Sequence, residues 1–172
     1  MPIMEDATFE PYLHRLKDIR VTLSVSQQPQ RVYRYLRERR LSRIHFYPQV
    51  EQAANGQLSA ESVTGEAWGN FLSAIFDIWV REDIGRVSIP LFEDTLNVWQ
   101  ERQHDDAVQE TLSATCRNCT QLRFCLGCRI ASEGVLCSGY RQFFAYSAPY
   151  MRVMRDLLKQ HRSPMELMAL LR

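Results

Sequence analysis

Residues 62–82 read SVTGEAWGNFLSAIFDIWVRE, and this stretch decides the fold. Trp68, Phe71, Leu72, Ile75, Phe76 and Trp79 recur at i, i+3, i+4, i+7, i+8 and i+11. That is one continuous apolar stripe down a single helical face. Thr64 or Ser62 is placed to cap the N-terminus of this helix. Glu66 falls in its first turn, where the helix dipole favours a negative charge. A stripe so rich in large side chains predicts a core or interface helix rather than a cofactor box.

Upstream, RVTLSVS at 20–26 alternates and is rich in β-branched residues, which predicts a strand ended by Gln27, Gln28 and Pro29. Residues 30–39 then set Val32, Tyr35 and Leu36 on one side of a helix, with Arg31, Arg34, Arg37 and Arg39 mostly on the outer side. RIHFY at 43–47 predicts a second strand, stopped by Pro48. Strand, short helix and strand in so few residues form a β-α-β unit with a parallel pair. The small, polar segment 53–65 connects this unit to the long helix. Downstream, RVSIP at 86–90 predicts a third short strand, and 91–100 a helix through Leu91, Phe92, Leu96 and Trp99. The polar stretch 102–113 is a boundary. It divides an α/β part, 1–112, from a Cys-rich part with C-terminal helices, 113–172. In that second part Tyr140, Phe143, Ser147, Tyr150, Met154 and Leu157 keep helical spacing, and Pro149 is expected to kink the helix. Ser163-Pro164-Met165-Glu166 reads as a capping box that opens a last short helix.

The chain has 172 residues, 45% hydrophobic and 24% charged, which is globular composition and excludes disorder, collagen and coiled coil as the main state. No apolar run reaches the roughly 18 residues that span a bilayer. The opening MPIMEDATFEP lacks a basic then apolar leader, so the expected compartment is the cytoplasm. The net charge of +1 hides a pattern: +4 over residues 1–50, −9 over 51–115 and +6 over 116–172. Segments of opposite sign satisfy one another by packing together. The arginines from Arg31 to Arg43 therefore read as a solvated face paired with the acidic middle rather than as a nucleic-acid surface.

All five cysteines lie after residue 115, as Cys116-x2-Cys119-x5-Cys125-x2-Cys128-x8-Cys137. An odd number in a cytoplasmic chain argues against a disulfide framework. Paired C-x2-C segments aim two sulfurs at one metal, either zinc or an iron–sulfur cluster. Zinc ribbons separate their pairs by about 15–20 residues, whereas the gap here is five and a fifth cysteine follows. Both features lean toward iron–sulfur without removing zinc, and a set of thiols without metal is the third reading. His14, His45, His104 and His161 are scattered away from ligand spacing, and Asp105 and Asp106 sit in a polar loop with no catalytic part. No phosphate-binding glycine loop, H-E-x-x-H or G-x-S-x-G is present.

The string CRNCTQLRFCLGCR, followed by LCSGYRQFFAYSAPYMRVM, resembles the C-terminal SPASM-type region of anaerobic sulfatase-maturating enzymes, which are radical S-adenosylmethionine enzymes. The resemblance extends back through SVTGEAWGNFLSAIFDIWVREDIGRVSIPLFEDTLNVW to RVYRYLRERRLSRIHFYPQVE, and covers most of residues 20–160 in colinear order. It implies that the first part is a β-α-β fragment of a partial barrel with a long amphipathic helix. It also implies that cysteines matching Cys116, Cys119, Cys125 and Cys137 ligate one auxiliary [4Fe-4S] cluster, while the one matching Cys128 serves a second cluster and is left here as an orphan. The family's catalytic C-x3-C-x2-C motif has no counterpart, because no cysteine precedes Cys116. Only sixteen residues separate Trp99 from Cys116, where the family carries a long segment with further cluster cysteines and the aspartate thought to act as base. The family's C-x3-C with paired glycines is shortened to Cys125-Leu126-Gly127-Cys128.

These features point to a truncated relative that is not catalytic on its own. It is expected to hold one [4Fe-4S] cluster or Zn2+ without S-adenosylmethionine, and to serve as an accessory to a protein partner: a second copy, a sulfatase or a radical S-adenosylmethionine chain. One alternative is half of a split radical S-adenosylmethionine enzyme. Another is a small zinc-stabilised regulatory or nucleic-acid-interaction protein. Membrane association is not expected.

Overall fold

The computed structural model describes residues 18–100, 114–125 and 134–172. The expected polar boundary over 102–113, with His104, Asp105 and Asp106, lies outside the described residues, as do His14 and Cys128. Helices dominate, and a two-stranded parallel sheet packs against them.

Strand β1 (Asp18–Val21) pairs with β2 (His45–Pro48) in the register Asp18↔His45, Ile19↔Phe46, Arg20↔Tyr47 and Val21↔Pro48. The connection runs through α1 (Leu23–Ser26) and α2 (Pro29–Glu38), so the β-α-β expectation holds. The expected strand over 20–26 stops at Val21, however. Thr22 Oγ1 accepts a hydrogen bond from the Val25 amide at 3.3 Å, and Ser26 Oγ donates to the Leu23 carbonyl at 2.6 Å. These short side chains offer the backbone a helical turn in place of a ladder. The third expected strand contracts to one isolated parallel bridge, Arg43↔Ser88, with Ile44 N donating to Ser88 O at 2.9 Å.

Helix α3 (Gly65–Glu82) is the stripe read from the sequence, and Thr64 is its cap, accepting from the Ala67 amide at 3.1 Å. Trp68, Phe71, Leu72, Ile75, Phe76 and Trp79 are all buried. Burying each such side chain contributes about 1.5–3 kcal/mol. Phe71 meets Phe46 edge-on at 5.3 Å, which seats the helix on one face of the sheet. Helix α4 (Pro90–Trp99) begins with proline where no amide donor is needed. Short α5 (Ala114–Arg117) and α6 (Leu122–Cys125) precede α7 (Cys137–Lys159), which runs unbroken through Pro149, and α8 (Glu166–Leu170). The expected capping box at Ser163 does not form. Ser163 Oγ accepts from the Met165 amide at 3.2 Å, while Glu166 pairs with Arg162 at 2.9 Å.

Paired positions on α3 and α7 rise together, so the two helices lie side by side and parallel. Gln142 donates to Asn70 at 2.7 Å, and Tyr146 donates to Asp77 at 2.6 Å. Phe76 stacks edge-on against Phe143 at 5.7 Å and Tyr150 at 5.6 Å, and against Phe92 of α4 at 5.1 Å. At their N-terminal ends the helices touch through glycine. A methyl group on Gly139 would collide with the Gly65 carbonyl oxygen and sit 2.9 Å from the Gly69 amide nitrogen. One hydrophobic core results, joining Ile19 and Val21 of the sheet to Phe143, Met151 and Met154 of α7.

The acidic middle of the chain meets the arginine helix as expected. Arg37 bridges Glu82 and Asp83, each at 2.6 Å, and Tyr33 donates to Asp83 at 2.6 Å. Burial, then the hydrogen bond to Asp83, holds the Tyr33 phenol well above its ordinary range.

Three variants have expected outcomes. Gly139→Ala should lower stability by about 2–3 kcal/mol through overpacking, read as a lower urea midpoint. Gly134→Ala, which has φ +91 but open space around it, should cost only about 1 kcal/mol through backbone strain. Because the phenol of Tyr33 is raised, the unfolded chain loses that proton from about pH 10 while the folded chain keeps it, so stability falls as pH climbs above 10. Tyr33→Phe should cost about 1 kcal/mol at neutral pH and reduce the alkaline loss, measured by denaturation at pH 7 and above pH 10.

Candidate metal centre

Each cysteine of the C-terminal run that the structure describes sits on or beside a helix. Cys116 lies in α5 and is buried; Cys119 follows it; Cys125 ends α6; Cys137 opens α7. Cys119, Cys125 and Cys137 are half-buried. The first two cysteines are tied by backbone turns. The Cys119 amide donates to Cys116 O at 3.0 Å, and the Leu122 amide donates to Cys119 O at 3.1 Å. The glycine contact between α3 and α7 fixes Ser138 and Gly139, and with them Cys137, against the core.

Arg141 stands one turn beyond Cys137 on α7, and its Nη2 donates to Cys119 Sγ at 3.6 Å. That hydrogen bond, joined by the fields of Cys137 and Cys125, holds the guanidinium above its ordinary range. Cys119 is thus tied to the first turns of α7, beside Cys137. Sequence reasoning did not single out Arg141. The signal was its i+4 spacing from Cys137, which places the two on one helix face once the helix is known to begin at that cysteine. Among the described residues no group of three or more Cys, His, Asp or Glu side chains is gathered as a metal pocket. The fit to a metal therefore lies in the donor set alone, four cysteines with Arg141 donating to one of them.

Cys125 also lines a cleft of about 370 Å³ between β2 and the cysteine segment. His45, Tyr47, Asp94 and Tyr140 supply its polar wall, and Phe124, Phe144 and Leu91 its apolar one. His45 faces Asp18 at 3.2 Å and stacks on Tyr47 at 5.9 Å, so it is held at the sheet, and His161 lies exposed beyond α7. Among the described residues no helix is long and apolar enough to cross a membrane.

No protein-family model matches the chain. The uncharacterized protein YidF of Escherichia coli (strain K12) is 45% identical over 146 residues, spanning 84% of this chain and 86% of that protein. The serine-type anaerobic sulfatase-maturating enzyme of Bacteroides thetaiotaomicron is 26% identical over 227 aligned positions, spanning 86% of this chain but 55% of the enzyme. Among solved structures, native anSMEcpe with bound AdoMet and Cp18Cys peptide superposes with a TM-score of 0.64 at 16% identity, over 82% of this chain and 57% of that one. Native anSMEcpe with bound AdoMet gives 0.60 at 16% identity, over 81% and 56%. The mixed α/β architecture is thus shared with that enzyme. The chain belongs to the YidF family and is a short homologue of the serine-type anaerobic sulfatase-maturating enzymes.

Proposed function

We propose that this chain is a non-catalytic relative of the sulfatase maturases that binds one metal centre through Cys116, Cys119, Cys125 and Cys137 and acts as an accessory, partner-binding protein in the cytoplasm. Its C-terminal third is then a SPASM-type segment, and its β-α-β unit a piece of a partial barrel. The observation that supports the reading is the run of cysteines itself, with Cys119 hydrogen-bonded to Arg141 one turn beyond Cys137. A reducing compartment keeps such thiols available as ligands.

Four thiolates suit tetrahedral zinc or a [4Fe-4S] cluster equally in donor type. The bound group would supply either a structural staple or a one-electron store. The chain's own residues do the rest. The four cysteines hold the group, and Arg141 offsets the negative charge of the thiolates from the solvent side. Radical generation is not part of the proposal, since the sequence has no cysteine before Cys116 to form a catalytic C-x3-C-x2-C set. The protein partner is a second copy, a sulfatase or a radical S-adenosylmethionine chain.

Elemental analysis of the full chain after anaerobic purification tests the metal. About four irons per chain with a broad thiolate-to-iron absorption, or about one zinc, is the expected result. Serine at position 116, 119, 125 or 137 should each reduce occupancy to below about a tenth, whereas Cys128→Ser should leave it unchanged. A chain that purifies without metal and takes up none on reconstitution overturns the proposal.

A further inference from the structure

Trp99, the last residue of α4, carries an arrangement that the cysteine site does not use. The guanidinium carbons of Arg123, Arg152 and Arg155 lie 5.4, 5.9 and 5.5 Å from the centre of its indole ring. Arg123 comes from α6, while Arg152 and Arg155 are i, i+3 neighbours on α7. Phe124 packs on the indole at 5.7 Å and on Phe144 at 5.3 Å, so the ring platform is continuous with the core. Arg123 also covers Phe124 at 4.5 Å.

An indole attracts a cation to either face, but it has only two faces, and three like charges gathered on one ring repel one another. Among the described residues, Asp156 is the only carboxylate paired with any of the three, at 3.0 Å from Arg155. Counted over the described residues, the cluster thus keeps an excess of two positive charges, held in place by aromatic packing. Guanidinium groups that converge from separate elements match the oxygens of an oxyanion in paired hydrogen bonds. A carboxylate needs one such fork. A phosphate monoester, with about −1.5 to −2 charges and three acceptor oxygens, matches the number of groups and their excess charge.

We propose that Trp99, Arg123, Arg152 and Arg155 form a binding site for a phosphate monoester group, with Trp99 as its rigid platform. The same chemistry is offered by free inorganic phosphate and by a phosphorylated side chain on a protein, and the test separates these sources.

Trp68 and Trp79 are buried, so Trp99 is the indole placed to report binding by its fluorescence. The full chain is titrated at constant ionic strength with inorganic phosphate, a phosphoserine peptide, dimethyl phosphate and a single-stranded oligonucleotide. A saturable emission change is expected with phosphate or the phosphoserine peptide, absent with sodium chloride and lost in Trp99→Phe. The double variant Arg152→Gln, Arg155→Gln should weaken affinity at least about tenfold at an unchanged melting temperature, and broadening of the phosphorus resonance reads the same loss without a tryptophan. Tighter binding of the peptide than of inorganic phosphate assigns the ligand to a phosphorylated protein, and the reverse order to the free ion. No saturable change, a change that persists in the double variant, or binding of the diester or oligonucleotide as tight as that of the monoester overturns the proposal.

Discussion

The close approach of α3 and α7 at Gly65, Gly69 and Gly139 is the constraint on which the rest of the molecule depends. Side chains at these positions would hold the two backbones apart, because the Gly65 carbonyl oxygen and the Gly69 amide lie where a β-carbon of Gly139 would stand. With the helices in contact, Phe76 reaches Phe143 and Tyr150, and the aromatic core closes over α4. The same contact fixes the first turn of α7. Cys137 and Arg141 belong to that turn and the next, so the position of the cysteine segment is set by packing two helices away from the sheet. A core made of local helix contacts and one short parallel pair thus fixes where α7 begins.

Charge follows the same division of labour. The acidic middle of the chain is answered twice: Arg37 of α2 meets Glu82 and Asp83, and Arg81 and Tyr146 meet Asp77. These pairs are largely exposed and each contributes little to stability, but the Tyr33–Asp83–Arg37 group is partly buried and orients α2 on the end of α3. The basic C-terminal third is neutralised far less. Arg155 and Arg162 do pair with Asp156 and Glu166, but Arg141 is placed on a thiol and Arg123 and Arg152 on an indole.

Much of this was legible in the sequence, for physical reasons that also mark where legibility ended. The stripe from Trp68 to Trp79 and its Thr64 cap are local signals written in one helix, and the structure reproduces them. The parallel β-α-β pairing followed from two alternating runs around an arginine-edged helix. The alternation over 20–26 misled because Thr22 and Ser26 bond to nearby backbone, an option that hydrophobic periodicity does not register. Ser163 and Glu166 have the spacing of a capping box, but Arg162 competes for the carboxylate and wins it. Arg141 and the Trp99 cluster were missed because both are built from elements far apart in the chain. Each residue alone reads as an ordinary surface charge, and only the packing of α4, α6 and α7 makes them a group.

The most direct measurement is X-ray absorption at the metal edge of the anaerobically purified full chain. Four sulfur neighbours at about 2.3 Å, reduced in number by Cys137→Ser, is the result expected of a four-thiolate centre at the start of α7. A coordination sphere of nitrogen and oxygen, or one that Cys137→Ser leaves unchanged, contradicts it.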